Sequence, residues 1–199
     1  DNGVIACAKH FPGHGDTATD SHHALPVLDF PMERLDTLEL YPFRKLMDDG
    51  VEMVMVGHLQ VPALDTLPAS VSYNVITGLL RKKMNYDGII TTDALNMKGV
   101  LAPFDGSYER ATLGAYIAGA DILLMPKHIT ESIDLIVNYI GNDPKKLEDL
   151  DRRVSRILMM KIICGKLLIS RESTHAVAYD EIFNSARGNK LSLRRLHLI

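Results

Sequence analysis

The chain has 199 residues, 46% hydrophobic and 24% charged, with a formal net charge of −3. That is the make-up of a globular protein able to bury a sizeable core. It excludes a strong field drawing the chain to nucleic acid, and no run of about 18 apolar residues offers a membrane span. Cys7 and Cys164 lie far apart without partner spacing, which predicts two buried thiols and neither a disulfide nor a zinc site. No targeting segment is visible. The chain opens at Asp1 without an initiator Met and runs at once into an apolar strand, so it is expected to be a piece of a longer protein. Whether that protein is cytoplasmic or exported stays open.

Taken in chain order, apolar strand candidates alternate with helices. The strands are "GVIACAKHF" (3–11), "VEMVMVGHL" (51–59), "DGIITTDAL" (87–95) and "ADILLMP" (120–126). Their continuous apolar runs predict strands buried on both faces, as in a parallel sheet covered by helices. The first helical segment, 33–49, follows Pro31, ends at Gly50 and should break at Pro42. The next spans 74–84 with Asn74 as N-cap, and the third 107–119 with Ser107 as N-cap. A fourth covers 129–141, with Lys127 and His128 read as capping its start, and a long amphipathic helix covers 145–165. Residues 166–199 carry no clean pattern and read as a helical or connecting segment, so the organisation expected is 1–165 and 166–199. Strand–helix alternation means βαβ units. Four units fit either a small open sheet or half of a (β/α)8 barrel.

Polar residues stand at successive strand ends, where parallel α/β folds collect their sites. Lys9 and His10 end the first strand, His58 the second and Asp93 the third. The stretch "KHFPGHGDTATDSHH" (9–23) holds four of the eight histidines. As a metal site it is poor, because Pro12, Gly13 and Gly15 prevent a helix that would align His10 with His14. As a phosphate loop it lacks the GxxxxGK[ST] pattern. A solvated turn accounts for its Gly, Asp and Thr but not for Lys9 and His10 on an apolar strand. In a catalytic loop, Asp20 and His22 share one face of an extended stretch, so the carboxylate can orient the imidazole for proton transfer.

The same residues resemble a family signature. "KHFPGHGDTATDSH" matches every fixed position of K-H-F-P-G-H-G-x(4)-D-S-H, found in the β-N-acetylglucosaminidases of glycoside hydrolase family 3. "GIITTDALNMKGV" (88–100) is similar to that family's nucleophile segment, and "VMVGHLQVPALD" and "AGADILLMP" look like its sixth and eighth strands. The resemblance implies the second half of a TIM (β/α)8 barrel, strands five to eight with their helices, the N-terminal half being absent. It implies a retaining mechanism through a covalent glycosyl-enzyme: Asp93 as nucleophile, His22 as general acid and base, Asp20 as its orienter. Lys9 and His10 match positions that hydrogen-bond sugar hydroxyls. His58 is either a substrate contact or a packed polar residue below the pocket, and His14 is expected to shape the loop. An imidazole in place of a second carboxylate departs from the usual glycosidase pair, but its pKa of about 6.5 suits giving and taking a proton near neutrality.

The resemblance implies a bacterial exo-glycosidase acting on terminal β-linked N-acetylglucosamine in muropeptides or chitin-type oligosaccharides. It implies no cofactor and no metal, and the missing barrel half as a partner. Phosphorolysis by the same groups is conceivable. Other classes stay open beside it: a truncated, non-catalytic sugar-binding fragment, or a metal-dependent hydrolase using His10, His14 and Asp93.

Overall fold

The computed structural model describes residues 4–17 and 25–165. Asp20, His22 and the 166–199 segment lie outside these residues. Two compact units emerge, one running from Cys7 to Gly141 and the other holding, of the described residues, 4–6 and 142–165.

In the first unit, strands β1 (Cys7–Phe11), β2 (Met53–Val56) and β3 (Ile89–Thr92) form a parallel sheet in the order β1-β2-β3. Cys7, Met53 and Ile89 stand in line across it, as do Ala8, Val54 and Ile90. Parallel neighbours need crossovers, and helices supply them. Between β1 and β2 the chain forms α1 (Met32–Arg34), a π-helical segment (Leu35–Glu39) and α2 (Tyr41–Asp48). The expected break at Pro42 is present, with Pro42 in the first turn of α2, where its missing N–H costs nothing. A π-helix (Asn74–Lys83) connects β2 to β3. Its start differs from expectation: Tyr73, not Asn74, is the N-cap residue, and the Ser72 hydroxyl accepts the Val75 N–H at 3.1 Å.

After β3 come α3 (Tyr108–Ala118) and α4 (Ile129–Ile140). The Ser107 cap of α3 is as expected, its hydroxyl accepting the Arg110 N–H. His128 occupies the N-cap position of α4 without capping it and pairs instead with Glu109, while Lys127 reaches the Tyr108 hydroxyl.

The expected fourth strand is a correction. Residues 120–126 run beside β3 but join it through a single parallel bridge, Thr91 to Ile122. The Leu124 N–H goes to the Thr92 hydroxyl, a side chain, so no regular ladder propagates. The two-faced burial expected of all strands holds only for β3; β1 and β2 alternate, with Ala8, Phe11, Val54 and Val56 on the buried side. These pack against Leu35, Leu40, Phe43, Leu79 and Leu80 from the crossover helices. Burying each such side chain is worth about 1.5–3 kcal/mol, so this face anchors the unit.

The alternation also overturns the expected burial of the thiols. Cys7 lies on the face opposite Ala8 and is exposed, and Cys164, just past Ile163, is half-buried. Helix α5 (Pro144–Ile163) belongs to the second unit and is capped by the Asp143 carboxylate, which accepts the Lys145 N–H at 2.9 Å.

Candidate active site

The site grows from the C-terminal ends of the three strands. Three residues of β1 advance where two of β2 do, since Ala8 pairs with Val54 but Phe11 with Val56. Such a bulge re-aims side chains next to functional sites. Ala8 and Phe11 stay in the core while Lys9 and His10, consecutive in sequence, both reach the open side. A Cβ on Gly57 would meet the His10 Cβ at 3.0 Å, so glycine after β2 gives His10 its room.

Asp93 follows β3 directly. Its N–H donates to the Val56 carbonyl at 2.9 Å, and its Oδ1 accepts the Ala94 N–H at 2.8 Å. Its Oδ2 lies 3.9 Å from His10 Nε2, with side-chain exposures of 18% for Asp93 and 31% for His10. Burial pushes His10 below the ordinary histidine value, opposed by the Asp93 charge and helped by Lys9, His14 and His58. His10 is therefore a neutral ring at pH 7, able both to donate and to accept.

His58 is fully buried. Its Nδ1 is 2.6 Å from the Ser70 hydroxyl and its Nε2 3.0 Å from the Ala94 carbonyl. Both ring nitrogens are thus engaged within the protein. Desolvation also lowers its pKa, against the Ala94 hydrogen bond and the Asp93 charge.

The loop after β1 is fastened at its root. His14 stands edge-on to His10, ring centroids 5.9 Å apart, and its Nδ1 is 2.8 Å from the Thr17 hydroxyl. Arg34 bridges Asp16 at 2.5 Å and Glu39 at 3.2 Å, with its guanidinium over the Phe30 ring. Gly13, at φ 139°, lies so close to Glu39 that a Cβ would come within 2.8 Å. A cleft of about 370 Å3 opens between this loop and the first crossover, lined by Lys9, His10, His14, Glu39, Phe43 and Leu46 among others. Asp93 does not line it. Asp20 and His22 lie outside the described residues, and among those residues no cluster of three metal-ligating side chains occurs.

Lys9, His10 and Asp93 are thus brought to one end of the sheet. Arg34, Glu39 and Ser70 belong to the same neighbourhood and were not read from the sequence. They carry no motif, and only the folded crossovers place them.

A carboxylate and an imidazole at the C-terminal ends of parallel strands define an α/β protein with a polar strand-end site. The chain matches the Glycosyl hydrolase family 3 N terminal domain over residues 1–160 and belongs to that family. It is 38% identical over 181 residues to "Beta-hexosaminidase A" of Pseudoalteromonas piscicida, covering 80% of this chain and 30% of that one. A family 3 beta-N-acetylglucosaminidase structure from Paenibacillus sp. str. FPU-7 superposes with a TM-score of 0.73 at 39% identity, covering 96% of this chain and 38% of that one. A beta-glucoside phosphorylase bound to 2FGlc superposes with a TM-score of 0.74 at 25% identity, covering 96% of this chain and 36% of that one. The chain therefore spans about a third of the length of these relatives.

Proposed function

We propose that this chain carries the catalytic groups of a retaining exo-glycosidase that releases terminal β-linked N-acetylglucosamine from glycans such as muropeptides or chitin-type oligosaccharides. The observation that carries the reading is the Asp93 carboxylate at the end of β3, with Oδ1 held by the Ala94 N–H and Oδ2 turned toward His10. A nucleophile for an anomeric carbon needs this: a carboxylate fixed on a rigid element, with one oxygen left to attack in line.

Asp93 Oδ2 attacks the anomeric carbon as the bond to the leaving oxygen breaks, and His22 gives that oxygen its proton. His22, held by Asp20, then takes a proton from water as water releases the sugar from Asp93. Lys9 and His10 bind sugar hydroxyls, and neither step calls for a cofactor.

In this reading β1, β2, β3 and the 120–126 segment are barrel strands five to eight, and residues 1–165 form the catalytic part with 166–199 as a connecting segment. The first barrel half is then a required partner. The half-exposed Met53 and Met55 and the exposed Lys9, on the face away from the helices, support this, since closing a barrel would cover them.

Phosphorolysis is the second reading, favoured by the likeness to a phosphorylase. Phosphate would then replace water in attacking the glycosyl-enzyme. Turnover of a chromogenic β-N-acetylglucosaminide tests both. It is measured with the chain alone and with a matching first barrel half, with and without phosphate. Turnover that needs the added half and is lost in Asp93→Ala and His22→Ala is expected. Free sugar as product identifies hydrolysis, and sugar phosphate identifies phosphorolysis. No turnover from a folded complex would leave a sugar-binding fragment.

A further inference from the structure

His58 has no solvent exposure, and neither has Ser70, which sits on the 3-10 turn Ala69–Val71. A carbonyl can only accept, so the 3.0 Å contact with the Ala94 oxygen puts the His58 proton on Nε2. Nδ1 is then the acceptor, and the Ser70 hydroxyl donates to it at 2.6 Å. The bonds run in one direction, from Ser70 through His58 to the Ala94 carbonyl, and each polarises the next. The other side of the same residue is engaged as well, because the Ala94 N–H donates to Asp93 Oδ1. A leucine would fill this space without the desolvation cost of an imidazole. What it could not do is hold the Ala94–Leu95 peptide group, one residue beyond Asp93.

We propose that Ser70 and His58 form a clamp that positions Asp93: by fixing the Ala94 carbonyl they aim the Ala94 N–H at Oδ1 and leave Oδ2 as the attacking oxygen. This rests on the reading of Asp93 as nucleophile. His58 touches no substrate and acts only through Ala94, so it is a positioning residue. The neutral ring the clamp requires agrees with the downward push that burial exerts on His58.

Two variants separate the clamp from simple packing. His58→Leu fills the space and removes both bonds, whereas His58→Gln keeps an amide donor where Nε2 stands. In this chain, amide hydrogen exchange at Ala94 should quicken about tenfold in His58→Leu and return close to the wild-type rate in His58→Gln. The amides of Val54 and Val56 in β2 should not change. Exchange at Ala94 that stays at the wild-type rate, or quickens together with Val54 and Val56, overturns the clamp. In the chain complemented by a first barrel half, His58→Leu should lower kcat about tenfold to a hundredfold while KM moves less than about twofold. Equal loss in His58→Leu and His58→Gln also overturns it. Absence of turnover in the wild-type complex counts against the glycosidase reading alone, and Ala94 exchange still decides the clamp.

Discussion

Nε2 of His10 stands 3.9 Å from Oδ2 of Asp93. That is outside hydrogen-bond reach, so the two groups act on each other through space. Burial outweighs the pull of Asp93 on the His10 proton, which keeps the ring neutral and amphoteric at pH 7.

Replacing His10 with Phe should therefore weaken sugar binding more than chemistry, raising KM about tenfold with a smaller change in kcat. Asp93→Ala should lower kcat about a thousandfold or more, since no other group can form the covalent intermediate. Steady-state kinetics on the complemented chain checks both. A His10→Phe variant that loses kcat with KM unchanged would assign the ring to the chemical step instead.

Arg34 ties the loop root to the first crossover through Asp16 and Glu39. The proposed acid and base, His22, follows Asp16 by six positions in the sequence. Arg34→Met should lower kcat about tenfold by letting the loop drift from its productive placement. Arg34→Lys should recover part of the loss, because both carboxylates are met by the one nitrogen Nη2 and an ammonium carries three donors. Kinetics of the two variants checks this, and full activity in Arg34→Met would remove the loop-root role.

This latch also shows where the sequence stopped being legible. Arg34 and Glu39 are five residues apart, which on a regular α-helix sets them about 140° from each other. They meet because the turn Leu35–Glu39 is π-helical, and nothing in its composition announces that. Asp93, Lys9 and His10 were readable because a strand end is a local event, marked by an apolar run that turns polar. The Ser70–His58 contact joins a strand end to a turn across twelve positions, and only tertiary packing makes it. The 120–126 segment misled for the opposite reason. Its apolar run is real, but a Thr92 hydroxyl takes the place of a backbone partner and stops the ladder.

A buried ion pair adds to the backbone bonds that hold that segment to β3. The Asp121 side chain has no exposure, and its Oδ2 accepts from Arg81 at 2.5 Å and from the Ile90 N–H at 2.8 Å. Arg81 also donates to the carbonyls of Tyr86 and Gly88, which lead into β3. Asp121→Ala would leave the guanidinium without its carboxylate and the Ile90 N–H without its acceptor. We expect a loss of about 3–5 kcal/mol, read from urea unfolding of the chain. A loss within about 0.5 kcal/mol, the range of ordinary surface changes, would mean that the pair does not fasten the segment.

The buried imidazoles set the response to acid. Burial holds His58 and His10 below the ordinary 6.5, so between that value and their lowered ones the unfolded chain binds protons that the folded chain does not. Stability then rises with pH in this window and falls as the solution is acidified through it. Above about pH 6.5 both states are neutral at these positions and the contribution vanishes. The Tm of the chain should hold level from pH 8 to about 6.5 and decline below it, with a shallower decline in His58→Gln, where no group titrates at that position. Thermal unfolding followed by circular dichroism at a series of pH values measures both slopes. If His58→Gln declines as steeply as the wild type, the ring is not held neutral in the fold, and the Nε2 proton assigned to the Ala94 carbonyl would have to be placed elsewhere.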